Sequence, residues 1–241
     1  PFPVRSQGRD LIFFEEEFRS EGYGHISVAE LQPDGSLSQP VRVLDVGSHL
    51  SYPSVFESEG EWFMIPESAE NGCVTLYRAT DFPLKWAKEC DLMTNHQIAD
   101  STLFRHAGMW CMLGCRVGAD LHPYEDLEAF FADSLTGPWR PHRSNPVVSD
   151  ATRGRPAGHV FVEDGKLVRP AQNCSVRYGY GLSFQEIVHL SESSFEERAI
   201  ASRVADWDSK IIGVHTFNRS GSLSCTDFLM RERIAFGKRY F

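Results

Sequence analysis

Short apolar and alternating segments separated by turn chemistry run the length of this chain, and they predict strands with little helix. The first set is an apolar run over 11–14 ending in Glu15, Glu16 and Glu17, an alternating strand over 24–31, a turn at 33–35 and a strand over 41–46. The pattern then recurs. Segments 52–56, 62–65, 74–79 and the stretch around Trp86 form a second set. Segments 100–104, 109–113, 127–132 and 139–142 form a third. A fourth comprises 157–161, 166–169, 180–184 and 187–190, and a fifth comprises 210–217 and 223–230. The helix formers over 195–200 fall where an outer strand is due.

Two sub-patterns repeat within these sets. One is an opening strand, a glycine turn at Gly60, Gly108 or Gly165, and a returning strand, which reads as a β-hairpin. The other is a strand, a small residue, an acid-bearing turn and a tryptophan: Tyr77 to Trp86 matches Phe131 to Trp139. A period of roughly 50 residues made of short strands predicts an all-β, five-bladed β-propeller. The single domain spans 1–241, with blades near 1–47, 48–96, 97–150, 151–205 and 206–241. In a β-sandwich the same spacing would be coincidence.

Composition narrows the function. The formal net charge of −9 argues against nucleic acid as a partner. No apolar stretch is long enough for a membrane helix, so no membrane insertion is expected. No secretory signal is read at the start, which leans the expectation toward the cytoplasm. The six cysteines lack CxxC pairs and clustered histidines, so buried reduced thiols are expected, not a structural zinc site. No cofactor is expected. Acids at a channel mouth could hold calcium, but no calcium motif is present.

The starts of the inner strands are polar, and a propeller brings such positions together at its axis. Alternation points either Glu16 alone, or Glu15 with Glu17, toward the axis. Glu67 follows the run 63–65 and Pro66, and Asp100 opens the third set. We expect Glu16 and Glu67 as a carboxylate pair, with Asp100 tuning the acid by like-charge repulsion. Carboxyl groups about 5–5.5 Å apart would give retention of configuration, and about 6.5–9.5 Å inversion. His49, Tyr52, Arg155, Arg169, Gln172 and His215 are the expected ligand-binding groups, suited to sugar hydroxyls or an anionic group.

Taken as motifs, 13–16, 49–53, 66–68, 100–104, 155–158, 169–172 and 215–218 resemble the N-terminal domain of glucosamine inositolphosphorylceramide transferase-like proteins over nearly the whole chain. More distantly, 51–56, 60–64 and 77–86 resemble the five-bladed glycoside hydrolases of the arabinanase/xylosidase and invertase/levansucrase type. The resemblance implies a propeller, a glycan or sugar-containing small molecule as partner, and a linked transferase or formyltransferase-like domain in a longer chain. The hydrolase resemblance also implies an Asp in blade one, an Asp in blade three, where Asp100 stands, and a Glu acid in a later blade. Only Asp100 matches that pattern, which leaves two readings: a glycoside-processing enzyme, or a binding module for an anionic sugar.

Overall fold

The computed structural model describes residues 1–118 and 121–231. It is an all-β propeller built from sequential antiparallel sheets. The first sheet runs β1 (Phe2–Ser6), β2 (Arg9–Glu17), β3 (Gly24–Leu31) and β4 (Val41–Leu44). The second runs β5 (Ser51–Ser58), β6 (Glu61–Glu67), β7 (Cys73–Asp81) and β8 (Lys85–Thr94). The third comprises β9 (Ile98–His106), β10 (Met109–Arg116), β11 (Asp126–Ala132) and the short β12 (Arg140–Pro141) and β13 (Val148–Ser149), both paired to β11. In the fourth, β14 (Arg155–Pro156) and β15 (Phe161–Glu163) share the partner β16 (Lys166–Asn173), followed by β17 (Gly181–Leu190) and β18 (Phe195–Val204). Two small sheets follow: β19 (Ile211–Gly213) with β22 (Leu229–Met230), and β20 (Phe217–Ser220) with β21 (Leu223–Thr226). Among the described residues the helix is one 3₁₀ turn at Ala69–Asn71, and no helix is long and apolar enough to cross a membrane.

Alternation puts one face of each sheet against its neighbour, so the core lies between sheets. Leu11, Phe13, Ile26 and Val28 pack with Leu50, Val55 and Met64 between the first two sheets. Ile65, Leu76, Leu103, Met112 and Phe130 fill the next interface, and Leu113, Phe131, Ile187 and Leu190 the one after. All six cysteines are free; Cys111, Cys115 and Cys174 are buried.

The strand pattern departs from expectation at four places. Phe2–Ser6 was not expected as a strand, yet it is the edge strand of the first sheet, so β2 is its second strand. The fourth opening strand is broken between β14 and β15 around Gly158. There φ is +148°, and a Cβ would collide with the Phe217 carbonyl, so glycine allows the two segments to meet. Segments 180–184 and 187–190 are one strand, β17, with bulges against β18. The expected strand 210–217 breaks at 214–216, between β19 and β20. The end of the fifth unit, 232–241, lies outside the described residues.

Candidate functional site

The inner strands are bent where they meet the axis. Register shifts between Ser51 and Ser54 in β5, and Tyr52 and Asp100 hold φ of +42° and +56°. Positive φ is costly for a tyrosine or an aspartate, of order 1–3 kcal/mol, and surrounding structure must enforce it. Both residues line a recess at the axis, a cavity of about 270 Å³. Phe14 and Glu15 from β2, Tyr52 from β5, Asp100 from β9 and Gln172 from β16 contribute walls. Tyr178, His215, Thr216 and Asp227 close the remaining side.

Asp100 is the fixed point. Arg155 Nε donates to its Oδ2 at 2.6 Å, and Gln172 Nε2 donates to the same oxygen at 3.0 Å. The pair is almost closed to solvent, with side chains 13% and 4% exposed. Burial opposes the Arg155 charge, but the Asp100 carboxylate overrides it and holds the guanidinium above its ordinary value. Arg155 also donates to the Pro123 carbonyl and stands 5.2 Å from the Tyr178 ring centroid. The Tyr52 hydroxyl is engaged by Thr102 at 2.8 Å, so this residue presents its ring to the cavity.

Glu15, not Glu16, reaches the cavity. Glu15 continues the face of Leu11 and Phe13, whereas Glu16 falls on the opposite face of β2. There Glu16 accepts a hydrogen bond from Ser27 Oγ at 2.8 Å and lies 3.3 Å from His25 Nε2. Glu15 has room because Gly24 sits beside it: a Cβ at Gly24 would stand 2.7 Å from Glu15 Oε1 and 2.8 Å from the Leu50 carbonyl. His49 accepts from the Gly24 amide through Nδ1, and its Nε2 lies 3.5 Å from Glu15 Oε1. Burial raises the Glu15 carboxyl above the usual carboxylate range against the pull of His49.

Glu67 stands behind the cavity wall. Ser51 Oγ donates to Oε2 at 2.9 Å and the Ala69 amide to Oε1 at 2.8 Å. Burial raises its carboxyl, and the charge of Asp100 adds to the effect. Arg169 is elsewhere. It is three residues from Gln172 on β16 and therefore on the other face, where it forms a buried ion pair with Glu197 at 2.8 Å and donates to the Arg153 carbonyl. Of the anticipated groups, Tyr52, Asp100, Gln172 and His215 line the cavity, while Arg155, Glu67 and His49 brace it. Glu16 and Arg169 point away.

Tyr178, Thr216 and Asp227 are among the lining residues outside the expected ligand-binding groups, and Glu15 is the alternative to Glu16 that alternation left open. The β20–β21 register runs from Ser220 opposite Leu223 to Phe217 opposite Thr226, and one step further along the hairpin brings Asp227 to Thr216. His215 Nδ1 lies 2.6 Å from Asp227 Oδ2, and the amides of His215 and Thr216 donate to Oδ1. Burial would push the Asp227 carboxyl up, but His215 outweighs it and holds it at about 2. Among the described residues no three His, Cys, Asp or Glu side chains group as ligands for a metal ion.

A family model described as glucosamine inositolphosphorylceramide transferase 1, N-terminal, matches residues 1–234. The chain belongs to this family. It is 34% identical over 196 residues to glucosamine inositolphosphorylceramide transferase 1 of Arabidopsis thaliana, and 35% identical over 198 residues to that of Oryza sativa subsp. japonica. Each match covers 79% of this chain and 26% of the relative, so the chain spans about a quarter of the relatives' length. Among solved structures, this chain's fold is similar to that of the α-L-arabinofuranosidase PaAbf62A of Podospora anserina, in complex with cellotriose. The TM-score is 0.70 at 10% identity, covering 92% of this chain and 76% of that one. It is also similar to Zg3597, a family 117 glycoside hydrolase of Zobellia galactanivorans. There the TM-score is 0.62 at 12% identity, covering 83% and 67% of the two chains. At these identities the likeness shows the propeller fold.

Proposed function

We propose that this domain is a five-bladed propeller whose axial cavity seats a sugar of a glycan or glycoconjugate. The two small sheets over 211–230 act as the fifth blade of a single domain over 1–241. Three hydrogen bonds support that closure. The Phe217 amide donates to the Ala157 carbonyl, the His159 amide to Asn218 Oδ1, and Asn218 Nδ2 to the Pro1 carbonyl. They tie the small sheets to the fourth and first sheets.

The observation that carries the sugar reading is the cavity wall itself. Aromatic rings of Tyr52 and Tyr178 alternate with Glu15, Gln172, Thr216 and Asp227, a mixture that suits the apolar faces and hydroxyl edges of a sugar. The solved propellers of similar fold include enzymes holding cellotriose and β-1,3-galactotriose. The charge balance favours a neutral ligand over an anionic one: Arg155 is already committed to Asp100, and Arg169 to Glu197. In the longer family members such a site would present a sugar to a linked transferase domain.

A hydrolytic reading has its own support. Glu15 and Glu67 both sit above the usual carboxylate range, as a general acid requires, and Asp100 contributes to the rise at Glu67. Calorimetric titration with cellotriose, β-1,3-galactotriose and arabinose-substituted oligosaccharides tests the binding reading. Chromatography of the same mixtures after long incubation tests hydrolysis. At least one sugar should bind, and Tyr178→Ala should weaken it about tenfold, ~1.4 kcal/mol. If no member of the panel bound, or Tyr178→Ala bound as well as the parent, the cavity would not be the sugar site.

A further inference from the structure

The Asp227 and His215 pair has a chemical consequence beyond lining a wall. Asp227 is anchored twice through Oδ1, by the amides of His215 at 3.1 Å and Thr216 at 2.9 Å. This leaves Oδ2 for the imidazole, 2.6 Å from Nδ1. An ionised carboxylate only accepts, and two acceptors would repel at that distance, so Nδ1 must carry the hydrogen. A neutral imidazole then has a bare Nε2. Among the described residues, Nε2 has no hydrogen-bond partner, and His215 lines the cavity.

The surroundings hold the ring in this orientation. Tyr178 packs edge-on against His215, with ring centroids 5.1 Å apart. Thr226 Oγ1 donates to the Thr216 carbonyl and pins the hairpin that brings Asp227 to His215. Thr216 is itself only 5% exposed and lines the same wall, yet its hydroxyl finds no partner among the described residues. A buried hydroxyl without a partner costs stability unless something satisfies it, and a ligand oxygen in the cavity would do so.

We propose that Asp227 is a positioning residue that fixes the His215 hydrogen on Nδ1 and leaves Nε2 bare toward the cavity, as the acceptor for a ligand hydroxyl. The ligand half of this assignment rests on the cavity being the sugar site; the tautomer half does not. The arrangement selects ligands that carry an O–H at that point. A sugar methylated or deoxygenated there would leave Nε2 desolvated and unpaired.

Long-range ¹H–¹⁵N correlation of imidazole-labelled protein at about pH 8 reads the tautomer directly. The expected spectrum of His215 shows a protonated Nδ1 and a bare Nε2. Asp227→Asn keeps an oxygen for the two backbone amides but can turn its NH₂ toward Nδ1, so the hydrogen should move to Nε2. The variant's backbone amide spectrum verifies that it remains folded. A wild-type His215 with its hydrogen on Nε2 would overturn the proposal without reference to any variant. A folded Asp227→Asn protein with an unchanged tautomer would do the same. With cellotriose or β-1,3-galactotriose bound, the Nε2 resonance should move, and Asp227→Asn should weaken binding about tenfold. A sugar that binds without moving Nε2 sinks the acceptor role. If no sugar binds, the sugar reading fails while the free-protein spectrum still decides the dyad.

Discussion

Asp100→Asn is the perturbation that bears most directly on how the site is built. The substitution keeps shape and one accepting oxygen but removes the charge that holds Arg155 at 2.6 Å. Arg155 would keep the Pro123 carbonyl and the Tyr178 ring, neither of which neutralises it. At an effective dielectric of about 20, charges at that separation attract by roughly 6 kcal/mol before desolvation is charged against them. Removing one member of a buried pair typically costs about 3–5 kcal/mol, because the other charge stays buried. Asn retains a hydrogen bond, so the lower end, about 3 kcal/mol, is expected. Urea unfolding followed by tryptophan fluorescence measures it. With a slope near 3 kcal/mol/M, the midpoint should fall by about 1 M. Arg155→Met alone should cost a similar amount, and the double variant should cost clearly less than both singles together. A loss below about 0.5 kcal/mol for Asp100→Asn, or strict additivity in the double variant, would refute the claim that this ion pair organises the cavity.

Other outcomes follow from the same geometry. Arg169→Met should destabilise by about 3–5 kcal/mol by stranding Glu197, yet leave sugar affinity unchanged in the folded fraction, because Arg169 lies outside the cavity; titration of that fraction checks it. Gly24→Ala should cost about 1–3 kcal/mol and disturb Glu15, since its Cβ meets Glu15 and the Leu50 carbonyl below 3 Å; thermal unfolding reads the loss. Asp227 is held at about 2 against an ordinary 3.8, a lowered value, so its contribution is present above pH 3.8 and is lost as pH falls toward 2. Stability curves of wild type and Asp227→Asn should therefore converge by roughly 2 kcal/mol across that window; curves that stay parallel would contradict the assignment.

The propeller was legible because its information is local. The hairpin over β5 and β6 and the strands β3, β10 and β11 lie where alternation and glycine turns put them. The strand β1 was missed because Phe2–Ser6 is short, and its hydrophobic side is supplied by Phe2 and Val4 alone among large residues. The broken strand at 214–216 was missed for a related reason. Its apolar composition reads as continuous, and the break is enforced by Asp227 capping two amides across the hairpin. Facing was the harder problem at the site. Glu15 and Glu16 are chemically alike, and only the core side of β2, set by Leu11 and Phe13, decides between them. Arg169 illustrates the limit: an arginine beside an inner strand looks like a ligand group, but its partner Glu197 lies on β18, 28 residues on, with nothing local to announce it.

Whether the axial cavity seats a sugar is read by mapping NMR shifts of Tyr, His and Thr side chains during titration with the oligosaccharide panel. Tyr178, His215 and Thr216 should move together and saturate at one affinity, while His159, in a separate recess with Phe161 and Arg219, stays fixed. Shifts centred on His159, or none with any sugar at millimolar concentration, would contradict the sugar reading.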